Sequence, residues 1–185
     1  ASDVYKRQHI GNMPKIKVNV GDYVLKGQLI AEADGNVSAA IHAPTSGKIK
    51  SIEKLLIPHP SGLPDYCIVI LPDMKDKWIE KNSIDWKKIG IDKTIKLLLN
   101  SGIVGLGGAA FPSHLKLGSN RNNKIETLIV NAAECEPYIT CDDMLMREKS
   151  EELIKGIQLV QELLGAKHLK QKVKVFRKPS LQQIT

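Results

Sequence analysis

Glycines and alanines crowd one short stretch that also carries an aromatic ring, a proline and a lysine. It runs Gly105-Leu-Gly-Gly-Ala-Ala-Phe-Pro-Ser-His-Leu-Lys116. Glycine lets the backbone take positive φ and lets a ligand approach closely. Free N–H groups that lead into a helix start attract anions, phosphate above all. The stretch therefore predicts a loop for a phosphate or a flat ring, with Lys116 adding positive charge. The glycines that would present their backbone are Gly105, Gly107 and Gly108.

This glycine loop matches neither of the two common phosphate-binding fingerprints. Gly105-Leu-Gly-Gly108 lacks the GxGxxG spacing, and no Gly-Lys-Ser/Thr ends the loop as in a P-loop. On the glycines alone, a flexible turn between helices remains an alternative.

A second group of polar residues follows a short apolar run. Thr127-Leu-Ile-Val130 has the length of a buried strand, and Asn131, Glu134 and Glu136 come directly after it. An asparagine offers both a donor and an acceptor, which suits hydroxyls and ring edges. Together with the glycine loop, this group favours a nucleotide-like cofactor. Taken alone, the two glutamates are equally compatible with solvated loop carboxylates.

The two motifs in combination closely resemble one family. The glycine loop, followed by Asn-Ala-Ala-Glu-Cys-Glu-Pro-Tyr-Ile-Thr-Cys-Asp-Asp from Asn131 to Asp143, is similar to the RnfC protein of Rnf electron transport complexes. The resemblance runs from about Gln8 to Lys178. The chain is more distantly similar to the FMN- and NADH-binding flavoprotein subunit of respiratory complex I.

The resemblance implies a role for each motif residue. FMN would be held by Gly105, Gly107, Gly108, Lys116, Asn131 and Glu134. The NAD(H) site would be bordered by Ala109, Phe111 and Glu136. No catalytic side chain and no metal ligand are implied in this chain. The family's 4Fe-4S clusters, and further FMN contacts, would belong to segments beyond residue 185.

Four residues depart from the complex I pattern. Leu106 replaces a common arginine, Ala110 a common glycine, Ala133 an acidic residue and Cys135 a glycine. These departures fit the Rnf branch better than the respiratory branch. They also remove one positive charge near the expected phosphate and place a methyl group in the loop.

Composition narrows the function classes. The net charge is +7, but the lysines are scattered and no aromatic residues interleave with them, which favours a solvated basic surface over nucleic-acid binding. No apolar run approaches the roughly 20 residues that span a bilayer. The three cysteines Cys67, Cys135 and Cys141 show no CxxC spacing, which suits a reducing cytoplasm and excludes an iron–sulfur cluster held by this chain alone.

The elements before the loop are β-like. Lys15–Val20 alternates strictly, and Asp34-Gly-Asn36 between apolar runs predicts a hairpin. The pattern resembles the biotinyl/lipoyl-carrier fold, a flattened barrel in which Asp65–Pro72 would be the closing strand. Carriers attach their group to a lysine at the hairpin tip, whereas no lysine lies between Lys26 and Lys48 here. A docking or structural role is therefore expected for this domain.

Helical periodicity begins after these strands. A helix capped by Asp92 is expected to reach Asn100, and a short helix that starts near Pro112 would carry Lys116. Strand, helices and strand across 127–176 predict a βαβ unit with a parallel sheet, since such crossovers join parallel strands. The helices expected there are 140–148 and 150–164, and the second strand is 173–176.

The sequence thus predicts an α+β protein of two domains. We expect a leader of non-native origin at 1–7, a barrel-sandwich hybrid domain at 8–72, a connector at 73–91 and an FMN/NADH-binding α/β domain at 92–185, truncated at its C-terminus. His42 and His59 lack a second ligand at metal spacing and are interpreted as surface or packing residues.

The expected function follows from the resemblance. The chain would belong to a complex that exchanges electrons between NAD(H), FMN and iron–sulfur centres and couples this to ion translocation. It would lie peripherally at the cytoplasmic face of the cell membrane, bound to other subunits, with no membrane span and no nucleic acid. The alternatives are a flavoprotein subunit of a soluble NAD-linked hydrogenase or formate dehydrogenase, and a non-catalytic docking module.

Overall fold

Short antiparallel strands occupy the first part of the chain and a parallel strand pair the last part. The computed structural model describes residues 2–5, 9–57, 62–106, 110–118, 125–132 and 138–173. The chain divides into two compact units, Ala1–Gly118 and Ser119–Thr185. Each unit is described by itself.

Seven strands of the first unit form two antiparallel sheets. They are β1 (Ser2–Tyr5), β2 (Lys15–Ile16), β3 (Tyr23–Val24), β4 (Leu29–Glu32), β5 (Ile41–His42), β6 (Gly47–Leu56) and β7 (Pro64–Pro72). One sheet has the order β1-β7-β6-β3 and the other β2-β4-β5. The expected strand at 65–72 is confirmed, but it pairs with β6 and β1 and closes no barrel within the described residues.

The core of this barrel-sandwich domain draws on both sheets. Its buried members are Val18, Val24, Ile30, Ala31, Ile41, Ala43, Ile49, Ile68 and Ile70. Alternate residues of a strand point to opposite faces, so each sheet contributes one apolar face. Two sheets packed face to face explain why neither needs to close on itself.

The predicted hairpin is present. Strands β4 and β5 pair antiparallel on either side of Asp34-Gly-Asn36, and Gly35 has a φ of 79°. This positive φ is the reason for glycine in the turn. No carrier lysine stands at its tip.

The predicted strand 15–20 is shorter than expected. Lys15 and Ile16 pair with β4 and the Lys17 N–H still donates to the Ile30 carbonyl at 2.9 Å, but the chain turns from Asn19 onwards. The Asp22 carboxylate accepts a hydrogen bond from the Asn19 backbone N–H at 2.7 Å, and the Asp22 N–H donates to the Asn19 carbonyl at 3.1 Å. Alternation alone carries no information about this local turn.

A polar cluster holds the end of β7 to the rest of the sheet. Tyr23 and Ser46 donate hydroxyl hydrogen bonds to the Asp73 carboxylate, and the Lys75 backbone N–H adds a third. These donors, Tyr23 above all, lower the pKa of Asp73 to about 2. The cluster joins strands β3, β6 and β7 at one edge of the domain.

Three helices complete the first unit: α1 (Trp86–Ile89), α2 (Ile91–Asn100) and α3 (Ser113–Gly118). The expected cap at Asp92 is wrong, because Gly90 is the N-cap of α2 and Asp92 lies in its first turn. The first helical hydrogen bond runs from the Thr94 N–H to the Gly90 carbonyl at 3.0 Å. On the apolar side, Leu98 is buried and Ile95 is half-buried, as the periodicity predicts.

The second unit is the predicted βαβ arrangement. Strand β8 (Thr127–Ala132) is followed by α4 (Cys141–Glu148), α5 (Ser150–Leu164) and β9 (His168–Val173). The two strands are parallel, with Thr127 opposite His168 and Ala132 opposite Val173. Helix α5 ends where expected, at Gly165 with a left-handed φ of 64°. Strand β9 begins before the predicted 173–176 segment, whose last three residues lie outside the described residues.

Residues Ser2–Tyr5 pair with Cys67–Ile70 of β7. They therefore take part in the sheet, although the sequence analysis excluded residues 1–7 from the fold. Their origin and the domain boundaries drawn from the sequence stay predictions.

Candidate functional site

The glycine loop is closed at its base by backbone hydrogen bonds. The Gly105 N–H donates to the Phe111 carbonyl at 2.8 Å, and the Ser113 N–H donates to the Ile103 carbonyl at 3.0 Å. Val104 and Pro112 form an antiparallel bridge between these bonds. The two sides of the loop therefore leave and re-enter the unit side by side, and Leu106 at the start of the tip is fully exposed.

This geometry corrects the role expected of Gly105. Its N–H already donates to Phe111, so it is not available to a phosphate. A Cβ at Gly105 would stand 3.7 Å from the Phe111 carbonyl oxygen, which is an ordinary contact. The fold itself therefore tolerates a side chain at this position. The space in front of Gly105 is compatible with close approach by a ligand. Such an approach would explain why this residue is glycine, whereas contacts within the protein do not.

Ala110 adopts a conformation that favours glycine. Its φ is 44°, in the left-handed region. For a residue with a Cβ this conformation costs roughly 1–2 kcal/mol. Glycine is common at this position in the complex I pattern, and the backbone shows why glycine suits it.

Lys116 lies on α3 and is exposed. The helix has only six residues, and Lys116 belongs to its last turn. The last turn carries the negative end of the helix dipole, so Lys116 adds its positive charge at that end of α3 and not at the N-terminus of α3. Lys116 remains a mobile cation within the segment that follows the loop.

Helix α3 also carries a buried histidine that the sequence analysis did not single out. His114 is 9% exposed, and its Nδ1 has no hydrogen-bond partner among the described residues. Burial, followed by the charge of nearby His9, lowers the pKa of His114. His9 is itself buried, and its ring Nε2 lies 3.1 Å from the backbone N of Ala39. In the sequence, His114 is a single histidine between Pro112 and Lys116, and nothing in that pattern predicts its burial.

The start of the loop rests on the barrel-sandwich domain. Gly102 has a φ of 65°, and a Cβ there would stand 2.2 Å from the Ala40 carbonyl oxygen. The Ala40 N–H donates to the Leu99 carbonyl at 3.4 Å. The end of α2 and the strand leading into β5 therefore lie in direct backbone contact. In the sequence, Gly102 indicated only a helix end.

His42 lies at the same contact. Its ring forms a hydrogen bond with the Asn100 backbone, while burial, the stronger effect, lowers its pKa. The interpretation of His42 as a packing residue agrees with this half-buried position. Its contact with the segment that leads into the glycine loop was not predicted.

The remaining described site residues lie on two different units. Phe111 is half-buried at the end of the loop, in the first unit. Asn131 is exposed, is the penultimate residue of β8 and belongs to the second unit. Ligands of parallel α/β sheets bind beyond the carboxyl ends of the strands, which is where Asn131 stands in β8. The residues singled out in the sequence that lie outside the described residues are His59, Gly107, Gly108, Ala109, Ala133, Glu134, Cys135 and Glu136.

Other site types find no support in the part of the chain that the structure describes. No group of three or more histidine, cysteine, aspartate or glutamate side chains there is arranged to hold a metal ion. Within the same residues, no helix has the length and apolar character needed to cross a bilayer. Cys67 is buried and Cys141 is exposed, both as thiols.

Two family models match the chain in succession. Residues 4–75 match the RnfC barrel sandwich hybrid domain. Residues 98–183 match the Nuo51 FMN-binding domain. The first match covers the two antiparallel sheets, and the second covers the glycine loop, α3 and the βαβ unit.

Curated relatives agree with the domain matches. The C component of the ion-translocating oxidoreductase complex of Haemophilus influenzae is 46% identical over 159 residues, which is 85% of this chain and 19% of that protein. The protein of the same name from Vibrio cholerae is 45% identical over 162 residues, 87% of this chain and 21% of its own length. The Rhodobacter capsulatus protein is 46% identical over 164 residues, 88% of this chain and 32% of that protein. The chain thus spans a third or less of the length of these relatives.

Proposed function

Because the chain belongs to the family of RnfC proteins, we propose that it is the FMN-binding part of the RnfC component of an ion-translocating oxidoreductase complex. The observation that carries this proposal is the succession of an RnfC barrel sandwich hybrid domain and an FMN-binding domain in one chain. That order separates the proposal from a soluble hydrogenase or formate dehydrogenase flavoprotein, for which the first domain is not expected.

We propose that the complex exchanges electrons between NAD(H) and iron–sulfur centres by way of FMN, with coupling to ion movement across the membrane. When bound, FMN supplies the conversion of a hydride into single electrons. The chain would lie at the cytoplasmic face, held there by the other proteins of the complex. Iron–sulfur clusters would be supplied by segments or proteins other than the described residues.

The glycine loop would bind rather than react. The base of the loop is fixed by two backbone hydrogen bonds and Leu106 is fully exposed, so the described part of the loop would need no rearrangement to bind a ligand. Preorganised donors lower the entropic cost of binding. Gly107 and Gly108 would provide these groups, while Gly105 would provide clearance through its missing side chain.

The other residues would complete the two ligand sites. Lys116 would pair with the FMN phosphate as an exposed and mobile cation. Asn131 and Glu134 would bind polar edges or hydroxyls of FMN. Ala109, Phe111 and Glu136 would border NAD(H), with the Phe111 ring as the apolar contact.

The proposal is tested by titrating FMN into the chain and following the quenching of flavin fluorescence. We expect Lys116→Ala to weaken FMN binding by about 1.5–3 kcal/mol, the range for a hydrogen bond to a charged group. Lys96→Ala is the matched control, because Lys96 is an exposed lysine on the neighbouring helix α2. Equal affinities of the two variants would assign Lys116 to the solvated surface.

The docking-module alternative predicts a different result. A non-catalytic module would bind neither FMN nor NADH, although it would keep the fold. Flavin that remains with the purified wild-type chain, and that NADH bleaches in the assembled complex, would exclude it. Wild-type protein that is folded by circular dichroism but binds no flavin would favour it.

A further inference from the structure

The end of α2 and Gly102, which lead into the glycine loop, contact the barrel-sandwich domain at one short segment. Residues 38–42 (Ser-Ala-Ala-Ile-His), called the supporting segment below, follow the Asp34-Gly-Asn36 hairpin and end in β5. Ser38, Ala39, Ala40 and Ile41 are at most 7% exposed. The segment therefore has little freedom to move.

Two residues of the supporting segment meet the chain that leads into the glycine loop, and a third holds His9. Ala40 contacts Leu99 and Gly102 through its backbone, and His42 binds the backbone of Asn100. Ala39 holds the ring of His9, and His9 lies close enough to His114 on α3 to affect its charge state. The supporting segment thus contacts the end of α2 and Gly102, which lead into the loop, and it also holds His9, whose charge acts on His114 of α3.

From these contacts we infer that the supporting segment is a positioning element that fixes the glycine loop, and that the barrel-sandwich domain thereby contributes to cofactor affinity without contacting the cofactor. Its consequence for FMN affinity rests on the proposed function, whereas the positioning of the loop rests on geometry alone. It also gives the hairpin a role that does not need a carrier lysine.

Gly102 is the most sensitive point of this contact. A Cβ there would stand 2.2 Å from the Ala40 carbonyl oxygen, far inside contact distance, so the loop base would have to move away from the supporting segment. Gly165 is a matched control. Its φ of 64° equals that of Gly102 within a degree, and no described residue lies within 4 Å of a Cβ built there. Both alanine variants place a Cβ on a backbone with a left-handed φ. Of the two, Gly102→Ala also drives that Cβ against the Ala40 carbonyl oxygen.

The experiment compares wild type, Gly102→Ala and Gly165→Ala by amide hydrogen exchange and by FMN titration. We expect Gly102→Ala to speed exchange at 103–105 and 111–118 by about tenfold or more, while β6 and β7 keep their protection. FMN affinity should fall by about tenfold in the same variant, in line with the cost of displacing a fixed loop. Gly165→Ala should leave both readouts of the loop unchanged.

His42 variants decide the question if Gly102→Ala does not fold. His42→Ala removes the bond to the Asn100 backbone, and His42→Gln restores a side-chain donor. We expect faster loop exchange and weaker FMN binding in the alanine variant, with partial rescue by glutamine. Loss of stability without a change in loop exchange would overturn the inference.

The remaining outcomes separate the inference from the proposed function. If wild type binds no FMN, the proposed function fails, and loop exchange in Gly102→Ala still decides the positioning role. If Gly102→Ala and Gly165→Ala behave alike, the positioning role is wrong. If the loop loosens in Gly102→Ala but FMN affinity stays unchanged, the contribution to affinity is wrong.

Discussion

The two units of this chain bury apolar side chains to different extents. In the first unit, nine residues from two sheets form one buried cluster. In the second unit, the buried apolar residues among those described are Ala132, Leu163 and Ala166. Large apolar side chains there that are more than a third exposed are Ile129, Ile139, Met144, Leu145, Ile154 and Leu169.

The difference follows from the kind of sheet. Two antiparallel sheets that face one another bury one side of each without help from helices. A parallel sheet is normally covered on both faces. Strands β8 and β9 with helices α4 and α5 leave much of their apolar surface exposed within the described residues. We therefore expect truncation of apolar side chains to lower the free energy of unfolding mainly in the first unit.

The largest expected effect tests this contrast directly with one substitution in each unit. Ile70→Ala in β7 should lower the free energy of unfolding by about 2–5 kcal/mol, because Ile70 is fully buried in the core cluster. Ile129→Ala in β8 should change it by less than about 0.5 kcal/mol, because Ile129 is 64% exposed.

Urea unfolding measures both substitutions. Fluorescence of Trp78 and Trp86 follows the first unit, and helical circular dichroism includes α4 and α5 of the second. A large loss for Ile129→Ala would show that β8 is packed in a way that its exposure does not indicate, and the contrast between the units would not hold.

A smaller effect is expected at His114, and it depends on pH. Burial lowers the pKa of this histidine below the ordinary value of 6.5, so the unfolded chain binds more protons between the two pKa values. Stability contributed by the neutral ring is present above pH 6.5 and is lost as the pH falls through the lowered pKa. His9 would repel a protonated His114 and acts in the same direction.

His114→Leu is the variant for this test. It removes a buried Nδ1 that has no partner among the described residues, and it should raise the free energy of unfolding at pH 7.5 by about 1 kcal/mol. Its stability should fall less than that of wild type between pH 7.5 and 5.5. Some pH dependence should remain, because burial also lowers the pKa of His42. Parallel pH curves for variant and wild type would show that His114 is not the titrating group.

The conformation of Ala110 predicts a modest gain in the free energy of unfolding when this residue is replaced by glycine. Ala110→Gly should stabilise the first unit by about 0.5–1 kcal/mol, because glycine relieves the left-handed φ of 44° at the cost of extra freedom in the unfolded chain. The reverse change at the end of α5, Gly165→Ala, should destabilise the second unit by a similar amount. Thermal unfolding of the two variants measures both changes in stability. A loss of stability in Ala110→Gly would mean that the alanine methyl group packs favourably.

The smallest effect is expected on the surface of the second unit. Arg147 and Asp143 form an ion pair at 2.9 Å across one turn of α4, and both side chains are exposed. Arg147→Ala should cost about 0.3–0.5 kcal/mol at low salt and less at high salt. Unfolding at two salt concentrations checks this. A cost above 1 kcal/mol that salt does not reduce would indicate that Arg147 does more than pair with Asp143.

Local chemistry explains what the sequence predicted well. The Asp34-Gly-Asn36 hairpin, helix α2, the end of α5 at Gly165 and the parallel strand pair all follow from turn residues, caps and periodicity within a few positions. The family resemblance was carried by the order of two motifs and needed no coordinates. Assignment of individual residues to FMN and NAD(H), and the domain boundaries, remain predictions.

Tertiary contacts decided the features that the sequence could not give. Gly102 is needed because it touches Ala40, a residue distant in the chain, and the Gly105 N–H is taken by Phe111 across the base of the loop. A glycine or a lysine in a sequence shows which conformations and charges are possible. Only the folded structure decides which N–H is already used, which Cβ has no room and which histidine is buried.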